Sequence, residues 1–217
     1  MIKHSLTLIL ALLFIASKSQ ATVTIGIQAD ELRDSGVTAL TSTSLFLLVS
    51  STSDANFDAI IAGASTAIGS SLNGGDDRIV FRGDLQSSFA NYSAAGVLDV
   101  TATGLDLSSV SGWSSNDPLA LLWFPTLTTA SATIDSSTPY GIYTNAAAID
   151  GSAAWVTPSD TSSVNIGFYT TAGLNLGPGT NSASTGSASL TVAGVPEPSR
   201  SLLALIGFGV LTLRRRR

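Results

Sequence analysis

The stretch "SLNGGDDRIVFRGD", residues 71–84, sets Asn73, Asp76 and Asp77 around two glycines, the closest this chain comes to a ligand-forming pattern. Calcium is held by several oxygen atoms, and a turn rich in Asp, Asn and Gly can wrap it. The alternating spacing and closing Glu of an EF-hand loop are missing, so an ordinary polar turn between two elements is the competing reading. A second acidic stretch, "ADELRD", places Asp30, Glu31 and Asp34 beside Arg33 and reads as a solvated charged turn.

What the residue list lacks is equally informative. The only histidine is His4, the only lysines are Lys3 and Lys18, and there is no cysteine. Beyond Thr22 the chain therefore has no material for a Ser-His-Asp triad, a thiol nucleophile, a Lys Schiff base, or zinc held by His or Cys. Paired carboxylates can hydrolyse glycosides without any of these. Nothing in the spacing, however, selects two of the thirteen aspartates between Thr22 and Val195. No catalytic residue is assigned and the chain is expected not to be an enzyme; a carboxylate-dependent glycan hydrolase is the third of three readings.

Sugar binding asks less of the residue list, because aromatic faces stack on pyranose rings. Trp113, in the loop-like "SGWSSND", is the candidate for an exposed ring and a glycan contact. Trp123, inside "LALLWF", reads as core, and Trp155 in "AAWVTP" reads either way. A carbohydrate-binding module, with calcium at Asn73, Asp76 and Asp77 as its aid, is thus the second reading.

Charge narrows the partners. From Thr22 to Val195 only Arg33, Arg78 and Arg82 oppose fourteen acidic residues, a net charge of −11. Nucleic-acid binding is driven by neutralising phosphates with Lys and Arg, so such a surface repels it.

The elements that must position these residues are strands. "TVTIGIQ" (22–28) alternates apolar and polar, and "SLFLLVS" (44–50) is continuously apolar, as a central strand is. Further runs at 78–82, 96–102, 119–124, 140–144, 153–157, 163–170 and 189–193 are separated by Gly, Asn, Asp and Pro. About nine strands of this kind predict an all-β fold, an antiparallel β-sandwich of jelly-roll-like form. One segment departs from the pattern: Phe57, Ile60, Ile61, Ala64 and Ile68 recur at helical spacing and predict a single helix over 55–71. Residues 177–189 form a Gly/Ser/Thr-rich loop before the last strand.

The two ends carry an address. Lys3 and His4 precede an apolar stretch from Leu6 to Ala16, and Ser19-Gln20-Ala21 supplies small residues for a signal peptidase, predicting a signal peptide over 1–21 cut between Ala21 and Thr22. At about 1.5 Å per residue that stretch is too short for a comfortable membrane span. At the other end Pro196-Glu197-Pro198 is followed by an uncharged apolar run, Ser201 to Leu213, and by Arg214, Arg215, Arg216 and Arg217. The prolines keep the backbone extended ahead of the run. The arginines would hold the far end of a short membrane helix (201–213) in the cytoplasm, leaving the body, 22–195, outside the inner membrane.

This tail resembles the PEP-CTERM sorting signal of Gram-negative bacteria, in which a Pro-Glu-Pro motif, a short membrane helix and an Arg cluster follow one another. The resemblance covers 196–217 and implies that exosortase, a membrane-embedded transpeptidase-like enzyme, processes the tail near Pro196 to Pro198. It further implies transient tethering at the inner membrane, then a place at the cell surface or in an extracellular matrix of exopolysaccharide and biofilm. The first reading follows: a structural or adhesive component of that matrix, with signal peptidase and exosortase as processing partners and extracellular polysaccharide as a neighbour.

Overall fold

Two strands, "LFLLVSS", apolar from Leu45 to Val49, and the wholly apolar "LALLWF", are buried along their whole length. A strand with one face in water alternates, whereas a strand covered on both faces can be apolar throughout. The architecture is built around that pair. The structure, a computed structural model, describes residues 22–29, 31–36, 38–54, 56–85, 96–144, 155–168 and 186–192. The predicted signal peptide and the tail from Pro196 to Arg217, including the apolar run 201–213, lie outside these residues.

The described residues are nearly all β. In chain order the strands are β1 (Thr22–Ala29), β2 (Leu32–Arg33), β3 (Leu45–Ser51), β4 (Ala64–Ser65), β5 (Asp77–Asp84), β6 (Leu98–Asp106), β7 (Leu119–Phe124), β8 (Thr133–Ile134), β9 (Pro139–Thr144), β10 (Ser163–Phe168), β11 (Gly186–Ser187) and β12 (Leu190–Thr191). One 3-10 turn, Leu107–Ser109, is the only helical element among the described residues. A five-stranded antiparallel sheet runs β12-β9-β7-β3-β5, with Leu47 opposite Leu122 on one side and Arg82 on the other. A three-stranded sheet runs β10-β1-β6, in which β1 pairs antiparallel with β6 but parallel with β10. Two small pairs, β11-β2 and β4-β8, complete the set.

The period of two sorts the side chains of the five-stranded sheet into two cores. Phe46, Leu48, Val80, Leu121, Trp123 and Tyr143 join Val23, Ile25, Ile27, Leu98 and Ile166 of the three-stranded sheet in one cluster. Leu45, Leu47, Val49, Ile79, Leu122 and Phe124 point the other way and meet Ile60, Ala64, Leu72 and Ile134. Each such side chain contributes about 1.5–3 kcal/mol by leaving water.

The second cover is the segment expected to be a helix. Residues 56–71 instead cross the sheet as irregular chain and the two residues of β4. Gly63 and Gly69 hold φ of +83° and +84°, in the left-handed region that ends a right-handed helix. Their neighbours bond outward: Ile61 N–H donates to Leu72 C=O, Gly63 N–H to Ile134 C=O, and Thr66 N–H to Ala132 C=O. Ile60 is buried while Ile61 and Ile68 are exposed, so the helical spacing of these apolar residues did not mark one buried stripe. A smaller correction concerns 153–157: its described residues form no strand but a single bridge, Val156 to Pro118, flanked by Leu119 N–H donating to Trp155 C=O and Thr157 N–H donating to Asp117 C=O.

Candidate functional site

The turn from Asn73 to Asp77 enters β5 at the edge of the central sheet, beside the end of β3, where Ser51 pairs with Asp77. Asp76 reaches back over this end. Its Oδ2 accepts from Ser51 Oγ at 3.1 Å, Ser53 N–H at 3.1 Å, Ser53 Oγ at 2.7 Å and Asp54 N–H at 3.2 Å. Its carbonyl accepts from Thr52 Oγ1 at 2.9 Å. Hydrogen bonds to the charged form favour it, and the Ser53 hydroxyl in particular, with lesser help from Ser51 and Asp54, holds the Asp76 carboxyl below the usual carboxylate range.

Asp77 has the opposite environment. It is 2% exposed, and its Oδ2 accepts from Asp58 N–H and from Asn73 Nδ2, each at 2.8 Å. Its Oδ1 is buried without a hydrogen-bond partner. Burial, reinforced by the negative charges of Asp76, Asp58 and Asp54 and only partly opposed by the Asp58 N–H, pushes the Asp77 carboxyl up to about 6. Two adjacent aspartates thus differ in acidity because one is bathed in donors and the other is desolvated.

Asn73 closes the turn. Its Oδ1 accepts from Gly75 N–H at 2.7 Å and Ser71 Oγ at 3.0 Å, while its Nδ2 donates to Asp77 and, at 3.3 Å, to Asp58 Oδ2. The amide nitrogen therefore stands between two carboxylates. Among the described residues no three His, Cys, Asp or Glu side chains come together in a set that could hold a metal ion. The three residues singled out as calcium ligands do gather, but the Oδ2 atoms of Asp76 and Asp77 and the amide nitrogen of Asn73 fasten residues 51–58 to the 73–77 turn. Sequence reading missed Ser51, Ser53, Asp54 and Asp58; "SSTSD" is recognisable as turn-forming, but its partner lies over twenty positions away.

Trp113 corrects an expectation. Its ring is 5% exposed, and Nε1 donates to Thr157 Oγ1 at 2.8 Å, with Thr157 itself fully buried. The indole offers no open face to a sugar. Trp155 is also buried, and Trp123 lies in the core as expected, with its Nε1 donating to Arg33 C=O at 3.2 Å.

Other aspartates build turns. Asp34 Oδ1 accepts from Gly36 and Thr38 N–H, Asp54 Oδ1 from Asn56 N–H, Asp106 Oδ1 from Ser108 N–H, and Asp117 Oδ2 from Ser114 N–H. Short Asx side chains mimic a backbone turn in this way. No family model matches the chain, and neither a curated protein nor a solved structure is detectably similar to it. Among the described residues no helix is long and apolar enough to cross a membrane.

Proposed function

We propose that this chain is an exported protein of the cell surface or extracellular matrix, sorted through its C-terminal tail, whose body is structural or adhesive. The observation that carries the reading is the order of three features at one end: Pro196-Glu197-Pro198, the uncharged run 201–213 and Arg214 to Arg217. A signal-like segment at the other end, with Ala21 and Thr22 at its cleavage point, is consistent with the same route. The body fits a scaffold held without disulfides. Its central sheet is covered on both faces, and Asp34, Asp54, Asp76, Asp106 and Asp117 serve as turn and loop fasteners.

In this reading the body is a β-sandwich of jelly-roll type. It is supported by the apolar cluster shared between the five-stranded and three-stranded sheets. The processing partners are signal peptidase and exosortase, and the precursor pauses at the inner membrane through 201–213. Cell fractionation tests the route. In the producing bacterium the protein should reach the surface or the medium, and it should accumulate in the inner membrane when exosortase is deleted. An unchanged distribution in the deletion strain would overturn the sorting assignment.

A further inference from the structure

The first strand begins at Thr22, the residue that signal cleavage would make the N-terminus. Its backbone nitrogen donates to Asp160 Oδ1 at 3.1 Å, across 138 positions of chain. The carboxylate is placed there by its own turn: Ser162 N–H donates to Ser159 C=O, Ser159 and Ser162 hydroxyls meet at 2.9 Å, and Thr161 adopts φ +59°. Thr161 N–H then donates to Thr22 C=O at 2.9 Å, and Thr24 N–H to Ser162 C=O at 3.1 Å, so the turn grips the start of β1 at Thr22 and Thr24. On β6, Asp106 stands opposite Thr22 in register, its Oδ1 accepting from Ser108 N–H and Ser108 Oγ.

In the precursor this nitrogen is a neutral amide with one hydrogen. Hydrolysis of the Ala21–Thr22 bond gives the water hydroxyl to the Ala21 carbonyl carbon and a hydrogen to the Thr22 nitrogen. The resulting α-amine takes a proton from solvent near neutral pH. A charged three-donor group then faces a carboxylate already at hydrogen-bond distance. We infer that signal removal converts this hydrogen bond into an ammonium–carboxylate clasp between Thr22 and Asp160, an ion pair at the start of β1 that only the processed protein can form.

The inference rests on cleavage after Ala21. The clasp would stand beside a single other ion pair among the described residues, Arg33 with Glu31 at 2.8 Å. The sequence also makes the group unusually easy to observe. No lysine follows Lys18, so the Thr22 amine would be the sole primary amine from residue 22 to Arg217.

The test uses protein exported and processed by the producing cells. N-terminal sequencing comes first: a start other than Thr22 removes the cleavage reading and the clasp with it. With Thr22 confirmed, reductive methylation with 13C-formaldehyde labels that one amine and leaves it a protonated donor, and NMR then follows its titration. In the folded protein its pKa should lie roughly 0.2 to 0.7 unit above that of the same protein in urea, the size of an exposed ion pair. Asp160→Asn should abolish most of the difference, and 1 M salt should shrink it in the unaltered protein, which keeps the test decisive if the variant does not fold. Equal folded and unfolded values, or a difference indifferent to both Asp160→Asn and salt, would overturn the clasp while leaving the cleavage intact.

Discussion

The indole nitrogen of Trp113 donates to the Thr157 hydroxyl in an interior where both residues are closed to solvent. This pair joins the stretch after the 3-10 turn to the segment beyond β9, and it makes Trp113 a structural side chain. Trp113→Ala should cost about 3–5 kcal/mol of unfolding free energy, as deletion of a buried aromatic does. Thr157→Val, which leaves the indole N–H without its acceptor, should cost about 1–3 kcal/mol. Urea unfolding of the processed protein measures both; a Trp113→Ala variant of unchanged midpoint would restore the exposed-ring reading.

Gly63 separates the observed cover from the helix that the spacing predicted. In a helix interior, Gly63→Ala would stabilise by about 1 kcal/mol. At φ +83°, with nothing within 4 Å of the added methyl, the same change should destabilise by about 1–2 kcal/mol through backbone strain alone. The sign of the shift in urea midpoint decides between them.

Asp77 should leave a mark on the pH dependence of stability. Its folded value of about 6 lies above the ordinary 3.8, so the folded state binds the proton more tightly than the unfolded chain. Its contribution is fully present below 3.8, declines as pH rises towards about 6, and is level above that. Asp77→Asn keeps an acceptor for Asp58 N–H and removes the buried charge. It should flatten the loss of stability across that window in thermal melts at stepped pH; a profile identical to the parent would contradict the assignment.

Asp76 has the reverse sign. Its folded value lies below the ordinary one, so its contribution is present above 3.8 and is lost as pH falls below it. Asp76→Ala leaves the exposed Ser53 and Asp54 N–H donors to water and should cost about 0.5–1.5 kcal/mol at neutral pH. Because the Oδ2 atoms of Asp76 and Asp77 are engaged with backbone, hydroxyl and amide donors, added calcium should leave the melting temperature unchanged. A rise with calcium that Asp76→Ala abolishes would reinstate the metal reading.

Trp123 and Gly141 face each other across β7 and β9, and a methyl on Gly141 would be driven into the indole. Gly141→Ala should therefore destabilise by about 1–3 kcal/mol and disturb the near-ultraviolet dichroism of Trp123. A variant with parental dichroism and stability would show that the sheet has room the close approach denies.

Most of the strands were legible in the sequence because their signals are local. The alternation of Val23, Ile25 and Ile27 and the unbroken apolar runs in β3 and β7 each declare a face or a pair of faces within a few residues. The cover over the second face was not legible. Ile60 and Ala64 fit a helical period as well as an irregular crossing, and the positive φ of Gly63 is a property of the fold. The burial of Trp113 depends on Thr157, 44 positions away, and the Asn73–Asp77 turn depends on Ser51 to Asp58. Local pattern named the turn's residues, but only long-range pairing showed their carboxylates occupied as fasteners.

We propose above that this protein is carried to the cell exterior and processed at its tail. Intact-mass measurement of the protein from its own cells tests it most directly. The account predicts a chain that begins at Thr22 and ends near Pro196 to Pro198, without the apolar run 201–213 and the four arginines. A mature pool whose chains still end at Arg217 would contradict it.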